Sequence, residues 1–85
     1  MVQDIFLIHR RKIDEIDNKI MNLVEQRLNN ARKIGEYKKK NKISIIDKKR
    51  EKEILQSRIK NSKLSKDFTK KLFLTIILES RKVQK

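Results

Sequence analysis

Cysteine and proline are absent from this chain, histidine and glycine occur once each, and the aromatic side chains amount to three phenylalanines and one tyrosine. Without cysteine there is no disulfide framework, no thiolate zinc site and no thiol nucleophile. The lone histidine, His9, has no second imidazole or thiol near it in sequence, so no metal is expected. The few aromatics form no platform for stacking nucleic-acid bases. No apolar run is long enough to span a bilayer, and the first residues lack the apolar stretch and small-residue cleavage site of a signal peptide. No membrane partner and a cytoplasmic location are therefore expected. With no proline and only Gly35, nothing obliges the chain to leave a helix before about residue 41.

What is abundant is positive charge, a formal +13. Taken alone, that suggests nucleic acid or an anionic surface. The lysines are scattered along every segment, however, the densest run being Lys38, Lys39 and Lys40 with Lys42. Heavy use of lysine, isoleucine and asparagine together is also what compositional drift produces. A solvated basic face is the simpler reading, and no nucleic acid is expected as a partner. The alternative, a basic helical nucleic-acid-binding dimer, would reveal itself by affinity that falls steeply with salt.

The pattern reads as all-α, in one domain spanning residues 1–85. Residues 3–41 form one long helix. The β-branched, turn-like stretch 41–46 follows, and Asp47 then N-caps a second helix to residue 61. Ser65 caps a third over 66–84, with Asp67 in its first turn where the helix dipole favours negative charge. A helix of nearly forty residues is about 55–60 Å long, whereas a compact chain of this size has a radius of gyration of about 12 Å. The first helix cannot be covered by its own chain, so a symmetric homodimer is expected.

Steps of three and four along the first helix trace one face: Arg10, Ile13, Ile16 with Asp17, Ile20, Val24, Arg27, Ala31, Ile34 and Lys38. The second helix aligns Asp47, Arg50, Glu51, Ile54 and Arg58, and the third Phe73, Ile76, Ile77, Ser80 and Gln84. Internal salt bridges or snorkelling explain any one of these polar groups. They do not explain the set, because Arg10, Arg27, Lys38 and Arg50 outnumber Asp47 and Glu51. Surplus cations on packed faces call for an anion with more than one carboxylate, which arginine binds bidentately.

Three blocks then carry a resemblance over essentially the whole chain. They are Arg10-x-x-Ile13-x-x-Ile16-Asp17, Glu25-Gln26-Arg27 and Ala31-x-x-Ile34-Gly35-x-x-Lys38 in the first helix; Ile45-x-Asp47-x-x-Arg50-Glu51 opening the second; and Leu72-Phe73 with Ile76-Ile77-x-x-Ser80-x-x-x-Gln84 in the third. In this order and spacing they resemble the all-α class of chorismate mutase. The resemblance implies the Claisen-type rearrangement of chorismate to prephenate, on the way to phenylalanine and tyrosine, with no cofactor. It implies an intertwined homodimer of three-helix protomers, in which Arg10 crosses the interface to join Arg27 on the substrate carboxylates, assisted by Ser80. Lys38 and Gln84 would donate to the ether oxygen, and Asp47, Arg50 and Glu51 would hold the ring hydroxyl. Lys38, Gln84, Arg27 and Glu51 carry the catalytic roles. A glutamine at 84, where some relatives have glutamate, implies activity extending through neutral pH. An isochorismate pyruvate lyase of the same fold is the nearest rival, separable by its product.

Other residues receive plainer readings. Phe6, Phe68 and Phe73 are read as core, Tyr37 as packing or surface, and Asp14, Glu15 and Asp17 as surface ion pairs. Gly35 inside a helix costs about 1 kcal/mol relative to alanine, which close approach of another helix or of substrate would explain.

Overall fold

A computed structural model describes residues 2–85, with side chains from Asp4 onward, as three helices: α1 (Val2–Lys40), α2 (Lys48–Asn61) and α3 (Lys66–Gln84). Their ends lie within one residue of the bounds expected from the sequence, and no strand occurs among the described residues. The all-α reading holds. Local chemistry explains the boundaries. The Asp47 carboxylate accepts the Arg50 N–H at 3.0 Å and the Ser65 hydroxyl accepts the Phe68 N–H at 3.1 Å, so each helix start has one of its orphan donors satisfied.

α1 ends without glycine. Lys42 takes up the left-handed conformation, with φ 55°, while the Ile43 N–H donates to the Lys38 carbonyl at 2.8 Å and the Lys42 N–H to the Lys39 carbonyl at 3.4 Å. This is the Schellman pattern, which ties off free carbonyls and reverses the chain. At the other turn, the Thr69 hydroxyl reaches the Ser65 carbonyl at 2.9 Å and the Ser62 hydroxyl at 3.2 Å, and Thr69 is the most completely buried side chain.

α3 packs against both α1 and α2, but α1 and α2 do not pack against each other. A cleft therefore opens between them, spanned by α3. By rise per residue α3 covers only about 28 Å of the roughly 58 Å length of α1, and the protein is correspondingly elongated, 61 × 24 × 15 Å with a radius of gyration of 16.9 Å.

Among the described residues Ala31, Ile54 and Ile77 make up the buried hydrophobic core, all on or beside α3, while Ile13, Ile16 and Ile20 on the other half of α1 are more than half exposed. The aromatic residues divide in the same way. Phe73 is half-buried, but Phe6 and Phe68 are 56% and 54% exposed, so their assignment to the core fails within one chain because no element of it reaches them. Three buried aliphatic side chains are few against the entropy of ordering a chain of this length.

A non-glycine residue held in the left-handed region costs on the order of 1 kcal/mol. Lys42→Gly is therefore expected to stabilise the protein by about that amount, raising the thermal midpoint by roughly 4–8 °C. A midpoint unchanged or lowered would mean that the Lys42 side chain stabilises the turn more than its backbone strains it.

Candidate active site

The cleft is a cavity of about 390 Å³ lined from all three helices and from the loop at Ile45 and Asp47. Five cationic side chains face it, Arg27, Lys38, Arg50, Arg58 and Arg81, against the carboxylates of Asp47 and Glu51. Ala31, Ile34, Ile54 and Ile77 provide apolar walls.

One stretch of α3 orders most of these groups. The Ser80 hydroxyl donates to the Ile76 carbonyl at 2.8 Å and accepts from the Arg27 guanidinium at 2.6 Å. Its single proton is thus committed, and in this state it acts by aiming Arg27. Arg81 donates to both oxygens of Glu51, Nε to Oε2 at 2.8 Å and a terminal nitrogen to Oε1 at 2.5 Å. Gln84 accepts from Lys38 Nζ through Oε1 at 3.0 Å and donates through Nε2 to the Ser80 carbonyl at 3.1 Å. Lys38 Nζ also donates to the Ile45 carbonyl at 2.8 Å. An ammonium has three N–H donors and a carboxamide two. Lys38 and Gln84 therefore each keep one donor beyond these contacts.

The end of α3 can come so close because of Gly35. A Cβ built there would lie 2.6 Å from the Gln84 Cα and 2.8 Å from its carbonyl oxygen, which no side-chain adjustment could relieve. Of the two explanations for this glycine, helix approach is the one observed. The same contact anchors Gln84, half-buried although it is the next-to-last residue, where fraying would otherwise be expected.

Burial lowers the pKa of Arg27, and repulsion from Arg58 and then Arg50 lowers it further. Glu51 is also pulled below its ordinary value, chiefly by the Arg81 hydrogen bonds; burial opposes this, the Arg81 charge adds to it, and Asp47 and Lys38 act in opposite directions. The Arg81 pKa rises through the same bond. No cluster of three His, Cys, Asp or Glu suited to a metal occurs among the described residues. The arrangement can bind a multiply charged anion, exclude part of its water and present oriented N–H donors to it.

Of the residues singled out in the sequence, Arg27, Lys38, Asp47, Arg50, Glu51, Ser80 and Gln84 all line this one cavity. Arg10 does not. It is exposed, 5.5 Å from the Phe6 ring centre, and lies about 25 Å from Arg27 along the same helix. Sequence reasoning missed Arg81, although its spacing of four from Ile77 and three from Gln84 puts it beside the chosen face. Arg58 was placed on the right face of α2 but not in the site; it lies 5.8 Å from the Phe73 ring centre and borders the cavity.

Comparison with known proteins adds independent findings. The family model described as chorismate mutase type II matches residues 9–85. The chain is 35% identical to the chorismate mutase of Methanocaldococcus jannaschii over 79 residues, 89% of this chain and 80% of that protein. It is 40% identical over 82 residues to the bifunctional chorismate mutase/prephenate dehydratase of Buchnera aphidicola subsp. Acyrthosiphon pisum, 93% of this chain but 21% of that protein. The chain thus spans about a fifth of the length of the bifunctional relative. No solved structure matches it.

Gly35→Ala gains about 1 kcal/mol of helix propensity but drives a methyl group into the Gln84 backbone. The displacement should outweigh the gain, lowering the unfolding midpoint and weakening dianion binding at least about tenfold as the Lys38–Gln84 contact parts. A stabilised variant with unchanged binding would show that α3 moves aside freely.

Proposed function

The chain belongs to the chorismate mutase type II family, and from that membership we propose that it rearranges chorismate to prephenate as a cytoplasmic homodimer, residues 1–85 acting as one mutase domain. The observation that carries the reading is the Lys38–Gln84 pair, two donors from different helices fixed side by side at the wall of a cation-rich cavity, each with an N–H to spare.

A unimolecular rearrangement needs neither a nucleophile nor a general base. Its barrier falls when the compact conformer is held and when donors face the charge that develops in the transition state. Arg27, aimed by Ser80, grips a carboxylate. Lys38 and Gln84 donate to the ether oxygen as its bond to carbon breaks and negative charge gathers there. Arg50, Glu51 and the loop at Asp47 receive the ring hydroxyl. Arg10 of the partner subunit completes the carboxylate clamp; its distance from the cavity of its own chain and the uncovered apolar face of α1 both support a second chain in that place. No helix among the described residues is long and apolar enough to cross a membrane.

Incubation with chorismate should consume its ultraviolet absorbance and yield prephenate; salicylate and pyruvate from isochorismate instead would identify the lyase. The shared site makes a sharper demand. Arg10→Ala and Arg27→Ala dimers should each be inactive, and mixing them should restore one intact site per heterodimer. No recovery after verified subunit exchange would remove Arg10 from the site.

Gln84→Glu tests the ether-oxygen contact. A glutamate there can donate only when protonated, and the adjacent Lys38 charge stabilises the ionised form, holding its pKa down. Activity should therefore fall at neutral pH and recover toward acid. A pH profile identical to that of the parent chain would exclude Gln84 from the reacting oxygen.

A further inference from the structure

Glu51 and Arg81 form the one cross-helix ion pair bordering the cavity among the described residues, joining α2 to α3 with side chains 18% and 29% exposed. The contact is a fork: two guanidinium nitrogens meet two carboxylate oxygens at 2.8 and 2.5 Å. Such a geometry fixes the carboxylate plane, which a lysine in the same place could not do. A carboxylate has about four lone-pair sites, and Arg81 takes one on each oxygen, leaving acceptor capacity for a hydroxyl. The fork also has an electrostatic consequence. A bare carboxylate on the cavity wall would repel an incoming dianion, and at close range in a partly dry site that repulsion is large. The other charged groups acting on Glu51 are Lys38 from α1 and Asp47 at the start of α2, whose effects oppose each other.

We propose that Arg81 is a positioning residue for the mutase reaction: it fixes the plane of the Glu51 carboxylate and cancels its charge, so that a doubly negative substrate can bring its hydroxyl within reach of Glu51. The inference rests on the chorismate reading and adds to it a residue that acts through Glu51 rather than on the substrate.

The test is a double-mutant cycle of Arg81→Met with Glu51→Gln, with Arg81→Lys alongside, followed by steady-state kinetics with chorismate from acid to neutral pH. Arg81→Met keeps the aliphatic stem and should raise KM about tenfold with a smaller fall in kcat. Its Glu51, freed from the fork, should protonate at higher pH, moving the acid limb of kcat/KM upward. Arg81→Lys should restore part of KM, because it returns the charge without the fork. In the Glu51→Gln background the acid limb should vanish and Arg81→Met should add no further loss. Circular dichroism checks that each variant is helical; should Arg81→Met not fold, Arg81→Lys takes its place in the cycle.

An unmoved KM and acid limb in Arg81→Met, or an equal loss with and without Glu51, overturns the proposal, the second result by showing that Arg81 acts independently of Glu51. If the parent chain has no mutase activity, the functional reading fails together with this one. An active parent beside an unaffected Arg81→Met overturns this inference alone.

Discussion

At position 35 there is no Cβ, and the backbone of Gln84 occupies the space that one would fill. Everything distinctive about the cavity follows from that contact. It draws the last turn of α3 against α1, and from that turn Ser80 reaches Arg27, Arg81 reaches Glu51 and Gln84 reaches Lys38. Three contacts thus join residues far apart in sequence into one surface. A single turn can serve both neighbouring helices because α1 and α2 do not pack on each other. The helix propensity forgone at Gly35 is small, about 1 kcal/mol, beside the several oriented hydrogen bonds that the close approach permits.

The two halves of α1 have complementary deficiencies. The half beside α3 has a site but lacks the Arg10 expected of it; the other half has Arg10 and an apolar face without cover. Under two-fold symmetry one patch meets its own copy, so a partner laid on the uncovered half is met by this chain in return. The proposed pairing would therefore bury Ile13, Ile16 and Ile20 and bring Arg10 toward the other cavity in one step. In the proposed pairing, stability and catalysis would depend on the same association.

What could be read from the sequence was whatever depends on near neighbours. Asp47 and Ser65 announce helix starts because capping is a three-residue interaction, and the three- and four-residue spacings place Arg27, Lys38, Glu51, Ser80 and Gln84 on their faces from rise and turn alone. The failures are of another kind. Arg81 was overlooked because its role comes from Glu51, thirty positions earlier, and no local pattern reports such a pairing. Phe6 and Phe68 were assigned to a core that one chain does not build, since hydrophobicity marks a face for burial without saying which chain buries it. The end of α1, expected at residue 41 and found at Lys40, lies where Lys42, not glycine, takes the left-handed position.

The electrostatics of the cavity explain why it would select a dianion. Glu51 is neutralised by Arg81, and the Asp47 carboxylate caps α2, which leaves Arg27, Lys38, Arg50 and Arg58 as the remaining cations on the cavity wall. The charged form of Arg27 is disfavoured by burial first and then by Arg58 and Arg50. Like charges gathered in a half-dry site repel one another. A neutral ligand would relieve none of that repulsion, and a monoanion only part of it. Two carboxylates set in the fork geometry of arginine relieve most of it. The preference follows from the charge gathered on the cavity wall, to which the proposed Arg10 of the partner subunit would add.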